Sequence, residues 1–214
     1  MVIAIDGPGG VGKSTVARAV ATRLGLSYLD TGATYRAATV IALDAGIAVD
    51  DGDAILAEVS QRSIDYSDMG ILVDGEPIAE QTRSTEVTDA VSAVSALASV
   101  RAHIVAIQRS WVDHRGGDAV VEGRDIGTTV FPNAEVKVYL AARPEVRAAR
   151  RAGDSEARGA TVSQIAEALA VRDDADSSRL TSPLRAAKDA TVIDTSDIGI
   201  EEVVQTIIDL VEEA

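Results

Sequence analysis

The chain has 214 residues, is 46% hydrophobic and carries a formal net charge of −14. This length suits one α/β domain with small insertions, and the apolar content is sufficient for a sizeable core. The absence of cysteine excludes disulfides, thiolate metal sites and a cysteine nucleophile. The acidic balance argues against a nucleic-acid partner, because nucleic-acid-binding surfaces are usually basic. No basic apolar leader and no run of roughly 18 apolar residues is present, so we expect a cytoplasmic protein with no membrane partner.

Short apolar runs alternate with amphipathic stretches along most of the chain. The runs predict core strands at 2–6, 27–29, 119–122, 136–140 and 191–193. The amphipathic stretches predict helices at 14–24, 33–45, 53–62, 86–97, 100–113, 144–151, 161–174 and 200–211. Strands that alternate with helices indicate an α/β fold, in which a parallel sheet has helices on both faces.

Two segments depart from this alternation. Residues 63–78 contain two extended runs, and Asp74-Gly75 is a strong two-residue hairpin turn. We interpret this segment as a small β insertion. The stretch from Gly153 to Thr161 is polar and rich in small residues, which is typical of a mobile loop.

The stretch from Gly7 to Ser14 reads Gly-Pro-Gly-Gly-Val-Gly-Lys-Ser and fits the phosphate-binding loop pattern. It follows a predicted buried strand and opens a helix, whose N-terminus favours negative charge. Glycines allow successive backbone N–H groups to face an anion. Lys13 offers a positive charge to the β- and γ-phosphates, and the Ser14 hydroxyl is a natural Mg²⁺ ligand. We therefore expect a nucleoside triphosphate to bind here with Mg²⁺, at Gly7, Pro8, Gly9, Gly10, Val11, Gly12, Lys13, Ser14 and Thr15.

Two other nucleotide-binding classes compete with this interpretation. Residues 7–12 also match the dinucleotide fingerprint, and Asp30 lies near the spacing of a ribose-binding acid. Lys13-Ser14 favours the phosphate loop, because a dinucleotide site has no need of a lysine there. A GTPase switch would carry an Asn/Thr-Lys-x-Asp segment, but Asn133 is the only asparagine and no lysine has an aspartate two places on.

Three further segments resemble bacterial cytidylate kinases, and the resemblance spans nearly the whole chain. They are 30–36 (Asp-Thr-Gly-Ala-Thr-Tyr-Arg), 123–128 (Gly-Arg-Asp-Ile-Gly-Thr) with 130–132, and 172–174 (Arg-Asp-Asp) with Asp176 and Arg179. The resemblance implies a P-loop core with the sheet order 2-3-1-4-5, formed by residues 1–36, 114–150 and 161–214. It also implies a nucleotide-binding insert at about 37–113, which includes the hairpin 63–78, and a lid at about 151–160.

The activity that this resemblance implies is phosphoryl transfer from Mg-ATP to CMP or dCMP by a monomer that acts on small molecules. Arg36 and Arg124 would bind the acceptor phosphate, and Asp176 the sugar hydroxyls. Asp125 would contact the cytosine amino group or belong to an active-site network, with a turn-stabilising salt bridge as the alternative. The full CMP-binding set by resemblance is Thr31, Tyr35, Arg36, Ser92, Arg101, Arg124, Asp125, Arg172, Asp176 and Arg179.

Catalysis would need no strong general base, because the acceptor phosphate oxygen is already ionised at neutral pH. We expect positioning and charge neutralisation instead, by Lys13, Arg124, Arg172 and Arg151. Arg150, Arg151 and Arg158 frame the predicted lid, and which of them reaches the phosphates stays open. The alternatives are another P-loop kinase, or a regulatory switch that binds nucleotide without transfer to CMP.

Overall fold

The computed structural model describes residues 1–67, 69–153 and 159–214. The strands are β1 Val2–Asp6, β2 Ser27–Asp30, β3 Ile64–Ser67, β4 Gly70–Val73, β5 Glu76–Pro77, β6 Ala119–Gly123, β7 Val136–Ala141 and β8 Thr191–Asp194. The α-helices are α1 Lys13–Leu24, α2 Thr31–Asp44, α3 Gly52–Val59, α4 Thr85–Val94, α5 Ala98–Asp113, α6 Pro144–Ala152, α7 Val162–Ser177 and α8 Ile200–Glu212. A short 3₁₀ helix spans Gln81–Arg83, and one π-helical turn spans Ile126–Val130.

The chain divides into two compact units. The first comprises Met1–Tyr28 with Gly117–Ala214, and the second comprises Leu29–Gly116. The nucleotide-binding role of the insert at 37–113 and the lid role of 151–160 stay predictions. Residues 154–158 of that lid, including Arg158, lie outside the described residues.

A five-stranded sheet with the order β2-β6-β1-β7-β8 is the centre of the first unit. The pairings of β1 with β6 and β7, and of β7 with β8, are parallel. Numbered among these five strands alone, the order is 2-3-1-4-5, so the predicted topology is confirmed. The carboxyl ends of β1, β6 and β7 therefore meet at one edge of the sheet, where ligands of open parallel sheets bind.

Two helices cover this sheet through a continuous apolar core. The buried residues of α1 recur at helical spacing, as Val16, Ala17, Val20 and Ala21, and those of α8 do the same from Val203 to Ile208. Both sets belong to one cluster with Ile3, Ile5, Val138 and Leu140 of the sheet. The register of the sheet, and with it the position of the loops at its edge, is fixed by this packing.

The second unit contains α2 to α5 and an antiparallel sheet with the order β3-β4-β5. The predicted hairpin turn is present: Asp74 has φ +53° and Gly75 φ +83°, as a two-residue turn with both central residues left-handed requires. The Asp74 side chain accepts the Ser63 amide and pairs with Arg62. Trp111 packs edge-on against Tyr66, at 6.3 Å between ring centroids.

Side-chain caps set the starts of α2 and α7, which differ from the predicted positions. The α2 helix begins at Thr31, two residues before the prediction, because the Asp30 carboxylate accepts the Ala33 amide. A capping box formed by Thr161 and Gln164 starts α7 at Val162, and the helix continues to Ser177. The α2 extension places Thr31 inside the first helical turn.

Among the described residues, no single helix has both the length and the hydropathy of a membrane-spanning segment. The pair α4 and α5 meets that test only jointly, by length and composition, and is bent by 101°. The buried residues of these two helices, such as Val91 and Ile104, form part of the second unit's interior.

The packing of the parallel sheet can be tested by replacing one buried and one exposed valine with alanine. Val138 in β7 is 1% exposed, whereas Val192 in β8 is 59% exposed. We expect Val138→Ala to lower the free energy of unfolding by roughly 2 kcal/mol, because it removes buried methyl groups and leaves a cavity. Val192→Ala should change it by no more than about 0.5 kcal/mol. Chemical denaturation measures both, and equal losses would contradict the assigned faces of the sheet.

Candidate active site

The phosphate loop joins β1 to α1 in a conformation that depends on glycine. Gly10 and Gly12 have φ of +78° and +92°, in the left-handed region. A Cβ at Gly7 would collide with the Leu140 carbonyl oxygen, and one at Gly10 would lie 2.9 Å from the Arg147 carbonyl oxygen. The first turn of α1 has neither an acidic residue nor a side-chain cap. Its N–H groups are therefore available to an anion.

A cleft of about 440 Å³ opens beside this loop in the first unit. It is lined by residues Gly10 to Val16 of the loop and the first turn of α1, and also by Arg150, Arg151 and Thr195. Ser14 and Thr15 are exposed, so their hydroxyls are accessible to a ligand. The cleft has the size of a small-ligand site, and it brings Arg151 together with Gly10 to Thr15 of the predicted loop, whereas Gly7, Pro8 and Gly9 do not line it.

Lys13 lies within a group of like charges. Its ammonium group donates to the Pro8 carbonyl oxygen at 2.8 Å. Burial lowers the pKa of Lys13 to about 7, and the positive charges of Arg124 and Arg172 lower that pKa further, against an opposing effect of Glu122. The loop therefore holds a cationic cluster, formed by Lys13, Arg124 and Arg172, that an anionic ligand would stabilise.

Arg124, just after β6, fixes the loop to the end of α7. Its Nε donates to the Asp176 carboxylate at 2.7 Å, and its Nη1 donates to the Gly7 carbonyl oxygen at 2.7 Å. Asp176 is 1% exposed and also accepts from Arg179. The structure thus brings the predicted residues Arg124, Asp176 and Arg179 into one hydrogen-bonded group.

Asp125 and Arg172 both belong to the first unit, where the charge of Asp125 acts on Asp6 and that of Arg172 on Lys13. Asp125 is buried, and its carbonyl oxygen accepts the amides of Thr129 and Val130, which starts the π-helical turn. Arg172 lies on α7 and is partly buried. Its charge acts on Lys13, as described above. Both residues therefore lie at the sheet edge that carries the phosphate loop.

The remaining predicted binding residues belong to the second unit. Thr31, Tyr35 and Arg36 lie in the first two turns of α2. The Arg101 guanidinium lies over the Tyr35 ring at 5.1 Å from its centroid, a cation–π contact. Arg36 donates to the Thr82 carbonyl oxygen at 2.9 Å. The structure brings Tyr35 and Arg101 together, whereas Ser92 lies on α4 and is only partly exposed.

Several buried polar residues escaped the sequence analysis. Asp6 accepts the amides of Ile126 and Gly127, both at 2.8 Å, and burial raises its pKa to about 6. Glu122 is 3% exposed and accepts the Tyr28 hydroxyl at 2.5 Å. Each acid lies at the carboxyl end of a strand that the sequence predicts to be buried. A charged residue is unusual in such a strand, and this feature of the sequence could have identified both Asp6 and Glu122.

A third residue of this kind lies in the second unit. Gln108 is fully buried in α5, and its amide nitrogen donates to the Thr34 hydroxyl at 2.8 Å. The Thr34 hydroxyl in turn donates to the Thr31 carbonyl oxygen at 2.7 Å. This chain of hydrogen bonds supports the first turn of α2, which carries Thr31, and no local sequence pattern indicates it.

The metal chemistry available to the site follows from its hydroxyl groups. Within the described residues, no cluster of three or more His, Cys, Asp or Glu side chains could hold a metal ion alone. Mg²⁺ prefers oxygen ligands and is commonly held by few protein groups together with substrate phosphates. The exposed Ser14 hydroxyl in the cleft fits this role.

The parallel sheet, the glycine loop and the cations beside it define a P-loop protein that binds nucleoside phosphates. A sequence model described as cytidylate kinase matches residues 3–213. This chain belongs to the cytidylate kinase family.

Individual relatives agree with the family match along the whole chain. The chain is 51% identical over 217 residues to the cytidylate kinase of Streptomyces avermitilis, a match that covers 100% of this chain and 93% of that protein. Its identity to the cytidylate kinase of Geobacillus sp. (strain WCH70) is 46% over 217 residues, with 99% and 96% covered. The solved structure of TT1252 from Thermus thermophilus has a TM-score of 0.54 at 16% identity, with 100% and 96% covered. That last likeness concerns the fold alone.

The raised pKa of Asp6 makes a pH-dependent contribution to stability. The folded pKa of about 6 lies above the ordinary value of 3.8, so the folded state binds a proton more tightly than the unfolded state. The contribution of Asp6 is therefore fully present below about pH 4 and is lost as the pH rises through about 6. We expect the difference in unfolding free energy between wild type and Asp6→Asn to fall over this range. Asp50→Asn, at an exposed carboxyl, is the matched control, and equal slopes in both would contradict the interpretation.

Proposed function

We propose that this chain transfers the γ-phosphoryl group of Mg-ATP to CMP or dCMP, which yields ADP with CDP or dCDP. The observation that carries the proposal is the cationic cluster at the phosphate loop, in a chain whose relatives are cytidylate kinases. Phosphoryl transfer places charge on the phosphate oxygens, and fixed cations stabilise that charge. The cluster is arranged for this chemistry before the substrates bind.

The donor site of the proposal is the cleft in the first unit. The N–H groups at the start of α1 and the Lys13 ammonium would bind the β- and γ-phosphates of ATP. The hydroxyl of Ser14 would hold Mg²⁺, with Thr15 beside it. Mg²⁺ held there would supply positive charge that neutralises the phosphate groups. Thr195 also lines the cleft, and its hydroxyl donates to the Val11 carbonyl oxygen of the phosphate loop at 3.3 Å.

In the second unit Arg36 would bind the acceptor phosphate, and Thr31, Tyr35, Ser92 and Arg101 would contact the rest of the nucleotide. The cation–π contact between Arg101 and Tyr35 supports this part of the proposal, because it holds a buried cation in a defined orientation.

In the first unit, Arg124 and Arg172 would bind phosphate oxygens, and Asp125 would contact the cytosine. Asp176 and Arg179 would contact the sugar. Because Asp176 already accepts from two arginines, its carboxylate is held in one orientation. That orientation supports the sugar assignment, since a fixed carboxylate is a suitable acceptor for a sugar hydroxyl group.

The transfer needs positioning more than proton abstraction. The acceptor oxygen of CMP is ionised at neutral pH, so the residues of this chain act by orienting it and by neutralising charge. We assign the lid contact with the transferring phosphoryl to Arg151, which lines the cleft together with Lys13 and Ser14. Closure of the lid would exclude water, which is the competing acceptor. The proposal includes a monomeric, cytoplasmic enzyme that acts on free nucleotides.

The acceptor assignment is tested by a coupled assay of ADP release with Mg-ATP and CMP, dCMP, UMP, AMP or shikimate. We expect turnover to be highest with CMP and dCMP. Lys13→Ala, Arg36→Ala and Arg124→Ala should each lower kcat/KM by roughly two to three decades, because each removes a phosphate-binding charge. Arg83→Ala, at an exposed arginine of the second unit, is the control. Absence of CMP turnover, with ATP still bound, would refute the acceptor assignment.

The low pKa of Lys13 predicts that ATP binding takes up a proton. The phosphates of ATP would raise the Lys13 pKa from about 7, so at pH 8 the complex binds protons that the free protein lacks. Affinity should accordingly fall as the pH rises from 7 to 9. Titration calorimetry at pH 8, in two buffers of different ionisation enthalpy, measures the uptake, and Lys13→Met should abolish it. Equal enthalpies for the wild type in both buffers would contradict the prediction.

A further inference from the structure

The tip of the phosphate loop packs directly against α6 and α7, within the first unit. A Cβ at Gly9 would lie 2.9 Å from Cδ2 of Leu169 on α7. A Cβ at Gly10 would lie 2.9 Å from the carbonyl oxygen of Arg147 on α6. The backbone of the loop therefore touches both helices with no side chain of its own in between.

One ion pair binds both backbone polar groups of Gly9. The Gly9 amide donates to Oδ1 of Asp173 at 3.3 Å, and the Gly9 carbonyl oxygen accepts from Nη1 of Arg147 at 3.1 Å. Arg147 also pairs with Oδ2 of Asp173. Both side chains are largely buried, at 10% and 18% exposure. The orientation of the Gly9 peptide is thus set by two side chains that lie more than 130 residues away in the chain.

Helix packing alone does not account for this ion pair. The α6 and α7 helices already share an apolar cluster of Ala148, Ile165 and Leu169. Burial of an ion pair costs desolvation free energy, so replacement by apolar residues is often neutral or stabilising. A carboxylate close to a phosphate-binding loop also disfavours an anionic ligand unless a cation neutralises it. The ion pair of Arg147 with Asp173 is therefore better explained by its hydrogen bonds to the Gly9 peptide of the phosphate loop.

We propose that Asp173, oriented and neutralised by Arg147, is a positioning residue that fixes the Gly9 peptide and thereby directs the phosphate loop. The inference rests on the proposed function. Asp173 directly follows Arg172 on α7, and Arg147 lies one turn before Arg150 and Arg151 on α6. The same pair therefore aligns the loop with the helices that carry the phosphate-binding arginines. An error of 1 Å in such an alignment can cost about a hundredfold in rate.

A comparison of Asp173→Asn with Asp173→Ala distinguishes the role of the hydrogen bond from the Gly9 amide from the role of the Asp173 charge. Both remove the negative charge, but only asparagine keeps an oxygen that accepts the Gly9 amide. We expect Asp173→Ala to lower kcat by about 10- to 100-fold with the KM for CMP within about twofold of wild type, and Asp173→Asn to recover about tenfold of that loss. The adjacent Asp174 is exposed, so Asp174→Asn and Asp174→Ala are matched controls with kcat within about twofold of wild type.

Equilibrium titration with ATP, without an acceptor, provides a second measurement that does not depend on turnover. Asp173→Asn should bind ATP severalfold more tightly than Asp173→Ala, whereas the two Asp174 variants should agree. Equal kcat and equal ATP affinity for the two Asp173 variants would overturn the inference. If Asp173→Ala does not fold, Asp173→Ser takes its place, because its hydroxyl lies one bond farther from the Gly9 amide than the Asp173 carboxylate oxygen, and a kcat equal to that of Asp173→Asn again overturns the inference. If the wild type does not turn over CMP, the proposed function is refuted. The ATP titration would then still decide the role of Asp173.

Discussion

The crowding of positive charge at a turn of exposed backbone N–H groups is the constraint on which the rest of this structure depends. Lys13 lies near Arg124 and Arg172, and burial together with that repulsion lowers its pKa to about 7. Such a cluster is unfavourable in the absence of ligand and favourable around phosphate oxygens. It therefore favours the binding of phosphate groups. The buried carboxylates of Glu122 and Asp176 offset part of the repulsion and hold the cations in place.

The parallel sheet supplies the rigid edge that this cluster requires. The strands β1 and β6 end in buried acids, and these acids hold the loops that follow rather than face solvent. Asp6 accepts two amides of the π-helical turn after β6, and Glu122 accepts the Tyr28 hydroxyl from β2. Each carboxylate accepts hydrogen bonds from another strand or loop. It therefore holds neighbouring segments together at the edge of the sheet. The site is therefore built on the most buried part of the first unit.

The second unit uses neutral polar contacts for a similar purpose. The buried amide of Gln108 and the hydroxyl of Thr34 support the first turn of α2, while Arg101 is held over the Tyr35 ring. The contact with Tyr35 holds the Arg101 guanidinium in a defined orientation. The contrast fits the chemistry proposed for the family, in which transfer requires concentrated charge and base recognition requires directional hydrogen bonds.

The sequence by itself determined the features that depend on neighbouring residues: the phosphate loop, the order of strands and helices, the hairpin turn at Asp74-Gly75, and the family motifs. The sheet order followed from the family resemblance rather than from periodicity. Only the tertiary structure decided which distant side chains meet, as in the contacts of Asp6 with Ile126, of Tyr28 with Glu122, and of Gly9 with Asp173. Periodicity and turn chemistry act within a few residues, whereas these hydrogen bonds join positions about 90 to 160 residues apart, and such pairings are fixed only when the sheet and its helices pack.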